Sequence, residues 1–404
     1  MDEITIQRFK PYRKMRWLRS NYLWQPRNND YLAKYKIKVQ DDEVLSVPDI
    51  LAVPCPHVPG REQMAHRDDH LWIGRGHVGS FDYQDMPIIC DSSMDYAYLD
   101  PTQRELLSFP QVRAYLPNVA FRDNKIQRRA YWGGTTYGKT YIDRALHGYG
   151  PSGRADREVL PALLSDKIVP PFRPPTEPFD DKLFEYIAAK RKPLADREID
   201  VFFSGRVRYY RDGIPCHPTM SRKLLQKKWH TFPGKVKVFK GYSNFDGTQE
   251  EGRRTKVFRY PYEYIDALLE SKVVISPWGW APWCVRDLEA LACGCIVLKP
   301  ECTNLKIWPD IYNPADNFMV WTDLLFENTA DQLDYCYRHL PELQEKANRG
   351  CDFVTDCLYP QSKLFDSWTR QIRDISERIL TTNGYSPANL INDDYNDMIA
   401  RANG

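Results

Sequence analysis

A surplus of charge of one sign is almost missing from this chain. Against 56 basic residues stand 54 acidic ones, which leaves a formal charge of +2. Such a balance gives no bulk electrostatic case for nucleic acid as a partner. The ten cysteines contain no C-x-x-C pair and no C-x-x-C…H-x-x-x-H spacing. Cys293 and Cys295 are too close together for a usual zinc pair. All ten are therefore read as reduced thiols, which points to the cytoplasm, and the absence of any N-x-S/T sequon agrees with it. No D-x-D triplet occurs either. Close carboxylates of that kind are what a divalent ion on a nucleotide needs, so no essential metal is expected. No apolar run approaches the roughly 20 residues of a membrane span. The N-terminus, MDEITIQRFKPYRKMRWLRS, is basic without the apolar centre of a signal peptide. It reads as a solvated basic arm, with peripheral contact to an anionic membrane as the alternative.

What is plentiful is apolar and aromatic. Hydrophobic residues make up 42% of 404, enough for two domains with real cores. Aromatics make up 13%, with 25 Tyr and 11 Trp. Most of these serve cores, but their flat faces and polar edges also suit sugars and bases. The proline-rich passage IVPPFRPPTEPFDD, residues 168–181, reads as a linker or surface crossing, because proline can feed neither a helix interior nor a central strand. Beyond it the pattern turns regular. IDVFFSG, KVKVFKG, VVISP, CIVLKP and NFMVWTD read as strands. SRKLLQKKWH, YEYIDALLESK, VRDLEALACG and NTADQLDYCYRHLPELQEKANRG read as helices, with Ser221 as an N-cap by residue type and Gly294 as a C-terminal stop. Near-continuous apolar strands alternating with helices predict a parallel sheet covered on both faces. The N-terminal half offers VPDILAVPC, DDHLWIG, MPIICD and RAYLPNVAF as strands of a second α/β unit. The division is then residues 1–195, 198–360 and a final helix and tail over 361–404.

The most informative stretch is SPWGWAPWCVRDLEALACGC, residues 276–295. Open parallel sheets bind ligands beyond the carboxyl ends of their strands, and Pro277, Trp278, Gly279 and Trp280 stand at such an end. The helix that follows starts near Trp283, and its N-terminal N–H groups suit a phosphate. Arg286 adds a forked cation one turn in. Glu289 lies three residues on, along the same face, where a carboxylate accepts hydrogen bonds from a vicinal diol such as ribose. Together they describe a site for a nucleoside diphosphate; the alternative is an ordinary i, i+3 salt bridge on a solvated helix. A second arm comes from SGRVRYYRDG. Gly205 turns the chain, and Arg206, Arg208 and Arg211 follow a strand end, where they could clamp a departing diphosphate; Arg222 is the fallback.

On these residues the chain resembles the GT-B glycosyltransferases of the group 1 and exostosin-like kinds. In those families a strand and a Ser-Pro or similar loop lead into R-x-x-E-A-L-A-x-G-C, then an apolar strand and a proline; here that is ISPWGWAPWCVRDLEALACGCIVLKP. The likeness extends to IDVFFSGRVRYYR upstream and to residues 317–350 downstream, which resemble the family's strand, acidic link and helix pair ending near a glycine. It covers roughly residues 198–360. The resemblance implies two Rossmann-like domains facing a central cleft, with the last helix crossing back to the first. It also implies a nucleotide-sugar donor, UDP- or GDP-linked, used as substrate without a further cofactor. Many retaining members carry a second glutamate eight residues before the first; Ala281 stands there, which leaves the stereochemistry open.

Other candidates lie in the N-terminal half. GRGHVGS sets Gly74, Gly76 and Gly79 in a G-x-G-x-x-G. The residues after it read as loop and strand, not helix, which argues against NAD; a glycine turn lining the cleft remains. His77 within it is a candidate base or donor-sugar contact, with a structural hydrogen-bonder as the alternative. Asp91, at the end of MPIICD and one turn before Asp95, is a second candidate base, with a helix N-cap as its alternative. The expected activity is a metal-independent hexosyl- or pentosyltransferase acting on a glycan or other hydroxyl acceptor. Its rivals are a nucleotide-sugar epimerase or phosphorylase on the same fold, and a catalytically dead carbohydrate-binding protein.

Overall fold

The structure is a computed structural model that describes residues 3–8, 29–40, 49–54, 77–78, 81–82, 87–91, 107, 112–122, 167–173, 179–204, 210–211, 214–215, 217–239, 262–278, 282–323 and 326–381. Two five-stranded sheets organise them. The first contains β1 (Ile4–Arg8), β2 (Ile37–Gln40), β3 (Ile50–Pro54), β4 (Ile88–Asp91) and β5 (Val112–Leu116), in the order β2-β1-β3-β4-β5. The second contains β6 (Ile199–Ser204), β7 (Val236–Phe239), β8 (Ser271–Ile275), β9 (Ile296–Pro300) and β10 (Met319–Thr322), in the order β7-β6-β8-β9-β10. Every neighbouring pair in both is parallel. Each sheet thus repeats the same doubly wound order, with the direction of winding reversing between its first and third strands. This is the α/β architecture of two Rossmann-like halves that defines the GT-B fold.

The composition of the second sheet follows from burial on both faces. Phe202, Val274, Val297 and Met319 point into one apolar layer. That layer is completed by Ile187 of α2 (Asp181–Lys190), Ile265 and Leu268 of α4 (Tyr262–Leu269), Leu288 and Leu291 of α5 (Val285–Ala292) and Val354 of α7 (Leu340–Leu358). Their strand neighbours Val201, Phe203, Val273, Ile275, Ile296 and Leu298 point the other way, against Leu225 of α3 (His217–Lys228) and Leu333 of α6 (Thr329–Arg338). Period-2 alternation is therefore present but hidden, because both sets are apolar.

Several expectations change. The chain's start is no arm over its first residues, since Ile4 and Ile6 are buried and β1 pairs on both sides, with β2 and β3. Three alternating residues, ITI, are too short a signal to weigh against the charges around them. Residues 9–28, which carry most of the basic charge, lie outside the described residues, as does DDHLWIG. The passage from residue 168 is not a solvated linker at its outset. Val169 donates to the Tyr115 carbonyl at 2.9 Å, and Ile168, Val169 and Phe172 are buried against the first sheet. Ser221 lies inside α3, not at its cap, because the helix begins at His217. Gly350 ends nothing: α7 runs through it to Leu358, and a Cβ there would come within 2.9 Å of Leu291 Cδ2. It is a glycine required by close helix approach.

Among the described residues, two of the features that join the halves stand out. Ala120–Phe121 pairs antiparallel with Leu305–Lys306. Beside it the Arg122 fork grips Asp310 at 2.8 and 2.9 Å and also donates to the carbonyls of Thr303 and Leu305. The second is the last helix, α8 (Gln361–Thr381), which returns to the first half. Phe365 meets Tyr31 of α1 (Asn29–Lys34), and Arg373 donates to the Lys36 carbonyl at 2.9 Å. Leu364, Phe365, Trp368, Ile372, Ile375 and Ile379 form its buried stripe. Each such side chain contributes about 1.5–3 kcal/mol. An exposed pair such as Lys34–Asp366 contributes about 0–1 kcal/mol, so the stripe decides where the helix lies.

Candidate functional site

The switch point of the second sheet falls between β6 and β8. Their register matches Val274 with Phe202, so two residues further Ser276 stands level with Ser204. Both strands end here, β8 before Ser276 and β6 at Ser204.

Cys284 is extended (φ −151°) and caps α5. Asp287, at the third helical position, closes the capping box by accepting from the Cys284 N–H at 3.3 Å. The same carboxylate is fully buried and accepts from the Ser276 hydroxyl at 2.5 Å and the Tyr312 hydroxyl at 2.5 Å. The Lys299 ammonium, also fully buried, lies 2.9 Å from it. Burial works against the Lys299 charge, but the Asp287 carboxylate outweighs it and raises the pKa. Loop, helix start and β9 are thereby tied at one point. The sequence carried one unused signal for this: a lone lysine inside the apolar run CIVLKP, which a buried strand tolerates only opposite an anion.

Arg286 and Glu289 do not form a surface pair. The Arg286 guanidinium lies 5.6 Å from the centre of the Phe203 ring, at the end of β6. Glu289 is 4% exposed and accepts from the Tyr264 hydroxyl at 2.6 Å. Burial first, and then the Glu289 charge, push the Tyr264 phenol well above its usual range, so it stays a donor. The structure thus sets a cation at the end of β6 and a buried carboxylate under Tyr264, and the Arg286 charge reaches the same phenol.

Two aromatic and basic candidates take other roles. Trp278 is 2% exposed, and its indole N–H points toward the Pro300 carbonyl at 3.4 Å. It is a core residue below the loop and presents no face to a base or sugar. Arg222 is buried as well, donating to the carbonyls of Trp278 at 3.1 Å and Pro277 at 3.4 Å. The fallback clamp is a brace for the loop: an interior guanidinium satisfied by backbone carbonyls. Pro277 itself is buried.

Gly205, Arg206, Arg208, Gly279, Trp280 and Ala281 lie outside the described residues, as do Gly74, Gly76 and Gly79. Arg211 is placed by its backbone only, in a short antiparallel pairing of Tyr210–Arg211 with Ile214–Pro215. His77 begins a two-residue strand paired with Phe81–Asp82. Asp91 is the last residue of β4, at the carboxyl end of the first sheet, where it pairs with Pro54 and Leu116. The side chains of His77, Asp91 and Arg211 lie outside the described residues.

No family model matches the chain. Among curated proteins it is similar to the probable glucuronoxylan glucuronosyltransferase IRX7 of Arabidopsis thaliana, at 24% identity over 206 residues. The aligned part is 45% of this chain and 42% of that relative's length. Among solved structures it aligns with Anabaena Alr3699/HepE in complex with UDP, at 10% identity and TM-score 0.42, over 92% of this chain and 100% of that one. It aligns with the sucrose-phosphate synthase of Thermosynechococcus elongatus at 12% identity and TM-score 0.43, over 92% and 99%. The GT-B architecture of this chain rests on its own strand order, not on scores of that size. No helix among the described residues is long and apolar enough to cross a membrane.

Proposed function

We propose that the protein is a glycosyltransferase that moves a sugar from a nucleoside-diphosphate donor to a hydroxyl acceptor on a glycan. The observation that carries this reading is the placing of half-buried Arg286 against Phe203, at the end of β6, and of buried Glu289 under the Tyr264 hydroxyl, both at the switch point of the second sheet. The 24% relative, by name a glucuronosyltransferase, supports it.

In this reading Arg286 and the start of α5 receive the diphosphate, with Arg206, Arg208 and Arg211 as a second arm. Glu289 accepts from the ribose hydroxyls. As the anomeric C–O bond breaks, its electron pair passes to the diphosphate oxygen. Cationic groups already in place stabilise that growing charge more than they stabilise the bound donor, which is the condition for a faster step. The acceptor enters from the first half, across a cleft lined by residues 74–80. His77 or Asp91 takes the acceptor's proton if the configuration inverts. The reaction needs no metal, since arginines and a helix N-terminus do the work a divalent ion does elsewhere. Eight described cysteines with free thiols accord with a cytoplasmic protein.

Calorimetry with UDP and GDP is the test. Binding of one of them, lost in Glu289→Ala and unchanged by EDTA, is the expected result. A folded wild-type protein that binds neither nucleotide would sink the reading. A panel of nucleotide-sugars, scored by slow hydrolysis, then identifies the sugar.

A further inference from the structure

Tyr264 belongs to no part of the donor site as proposed above, yet it touches the centre of it. It comes from the first turn of α4, the crossover that leads into β8, whereas Glu289 lies on the crossover that leaves it. Both residues are buried, 8% and 4% exposed, and the phenol donates to Glu289 Oε2 at 2.6 Å. The Tyr264 ring is set in turn by Phe202 of β6, with ring centres 6.0 Å apart. Its hydroxyl is therefore delivered by a wall, not by a mobile side chain.

A buried carboxylate costs free energy unless donors satisfy it. A lysine or arginine there would satisfy it by cancelling its charge. A phenol satisfies it as a neutral donor, which leaves the negative charge for further hydrogen bonds. It also fixes the plane of the carboxylate, and two adjacent hydroxyls demand a fixed plane, since both must donate to one group at once.

We propose that Tyr264 is a positioning residue that holds the Glu289 carboxylate in the orientation that receives the vicinal diol of a nucleotide's ribose. The inference rests on the nucleotide-diphosphate reading of the site. A purely structural role for the same bond would stabilise the protein and leave ligand choice unchanged.

The test compares ligands on one variant. Tyr264→Phe is titrated calorimetrically with UDP and 2′,3′-dideoxy-UDP, and in parallel with GDP and its dideoxy counterpart. Loss of one buried hydrogen bond to a charged acceptor predicts that Tyr264→Phe binds the diol nucleotide at least about tenfold more weakly. Its affinity for the dideoxy nucleotide changes less than about twofold, within the error of such additive comparisons. The ratio between the two ligands is read on the same sample. Partial unfolding of the variant would weaken both alike and leave that ratio unmoved. In a Glu289→Gln background, Tyr264→Phe adds no further loss in the ratio. An equal loss for both ligands, or an unchanged ratio, overturns the inference. If the wild type binds a nucleotide and Glu289→Ala does not, that failure belongs to Tyr264 alone. If the wild type binds none, the donor reading fails and takes the inference with it.

Discussion

Asp287→Asn isolates the buried charge beneath the site. The substitution keeps size and shape but leaves the Lys299 ammonium, with no exposed surface, facing a neutral amide across 2.9 Å. Breaking a buried pair from one side costs about 3–5 kcal/mol, because the remaining ion has neither water nor counter-ion. In a cooperative unit of this size, each kcal/mol lowers Tm by about 2–4 °C, so a fall of roughly 6–20 °C is expected. Lys299→Met is milder. Asp287 then still accepts from Ser276 Oγ, Tyr312 Oη and the Cys284 N–H, and hydrogen bonds to a charged acceptor contribute about 1.5–3 kcal/mol each. The double variant removes both charges and should regain at least about 2 kcal/mol over Asp287→Asn alone, a coupling typical of contacting residues. Urea unfolding of the four proteins measures all of this. If Asp287→Asn lies within about 1 kcal/mol of wild type, or the double variant is no more stable than Asp287→Asn, the ion pair is not what ties the loop to the sheet.

Other perturbations have definite signs. Arg222→Met leaves the Trp278 and Pro277 carbonyls without their buried donor, at about 1–3 kcal/mol each, and should weaken nucleotide binding although Arg222 touches no ligand in the proposed site. Calorimetry alongside thermal melts checks both. Gly294→Ala is expected to cost about 1–3 kcal/mol. Its φ is +67°, and an added Cβ would lie 3.3 Å from Arg197 Nη2, which the Cys293 carbonyl holds in place. Alkaline pH should destabilise the fold from about pH 9 upward. Burial pushes Cys295 from 9.0 to about 11 and Cys302 to about 12. Burial also raises Tyr264 and Tyr312 above 10.0. Each folded pKa exceeds the unfolded one, so this stability is complete below the unfolded value and disappears as pH rises through the folded one. Lys299, lifted above 10.5 by Asp287 despite its burial, has the same sign. A melting temperature that holds steady from pH 8 to 11 would contradict this assignment.

The second half was legible because its signals are local. IDVFFS, VVI and CIVLKP are apolar on both faces, and each is bounded by a glycine, proline or charged residue. Arg286 and Glu289 announce themselves by helical spacing at a strand end. The first half was less legible because its order is non-local. β1 is one short alternation inside a basic stretch, and only pairing with two distant strands makes it central. The roles of Trp278 and Arg222 were read from residue type, which favours stacking and phosphate. Burial decides otherwise, since an indole and a guanidinium can each spend their donors on backbone carbonyls. Gly350 looked like a helix stop by composition, and only the distance to Leu291 reveals its use.

The polar residues around the switch point divide by depth in a way that bears on mechanism. Arg222 from α3, Tyr264 from α4, Lys299 from β9 and Tyr312 beyond it each place a polar group against the same short stretch, Ser276–Glu289. None of the four is on that stretch, and all are nearly or fully buried. Local propensity cannot hold this stretch. It is a loop and a helix of eight residues, too short to be stable alone. A site that stabilises a departing diphosphate must have its dipoles in place before the bond breaks, or reorganisation consumes the gain. Four braces meet that demand, because Pro277, Trp278, Asp287 and Glu289 cannot shift without breaking a buried polar contact. The same demand explains why the group facing Glu289 is a phenol while the group facing Asp287 is an ammonium. In the proposed site the carboxylate that serves a ligand, Glu289, accepts from a phenol, and the one that anchors the loop, Asp287, lies against an ammonium.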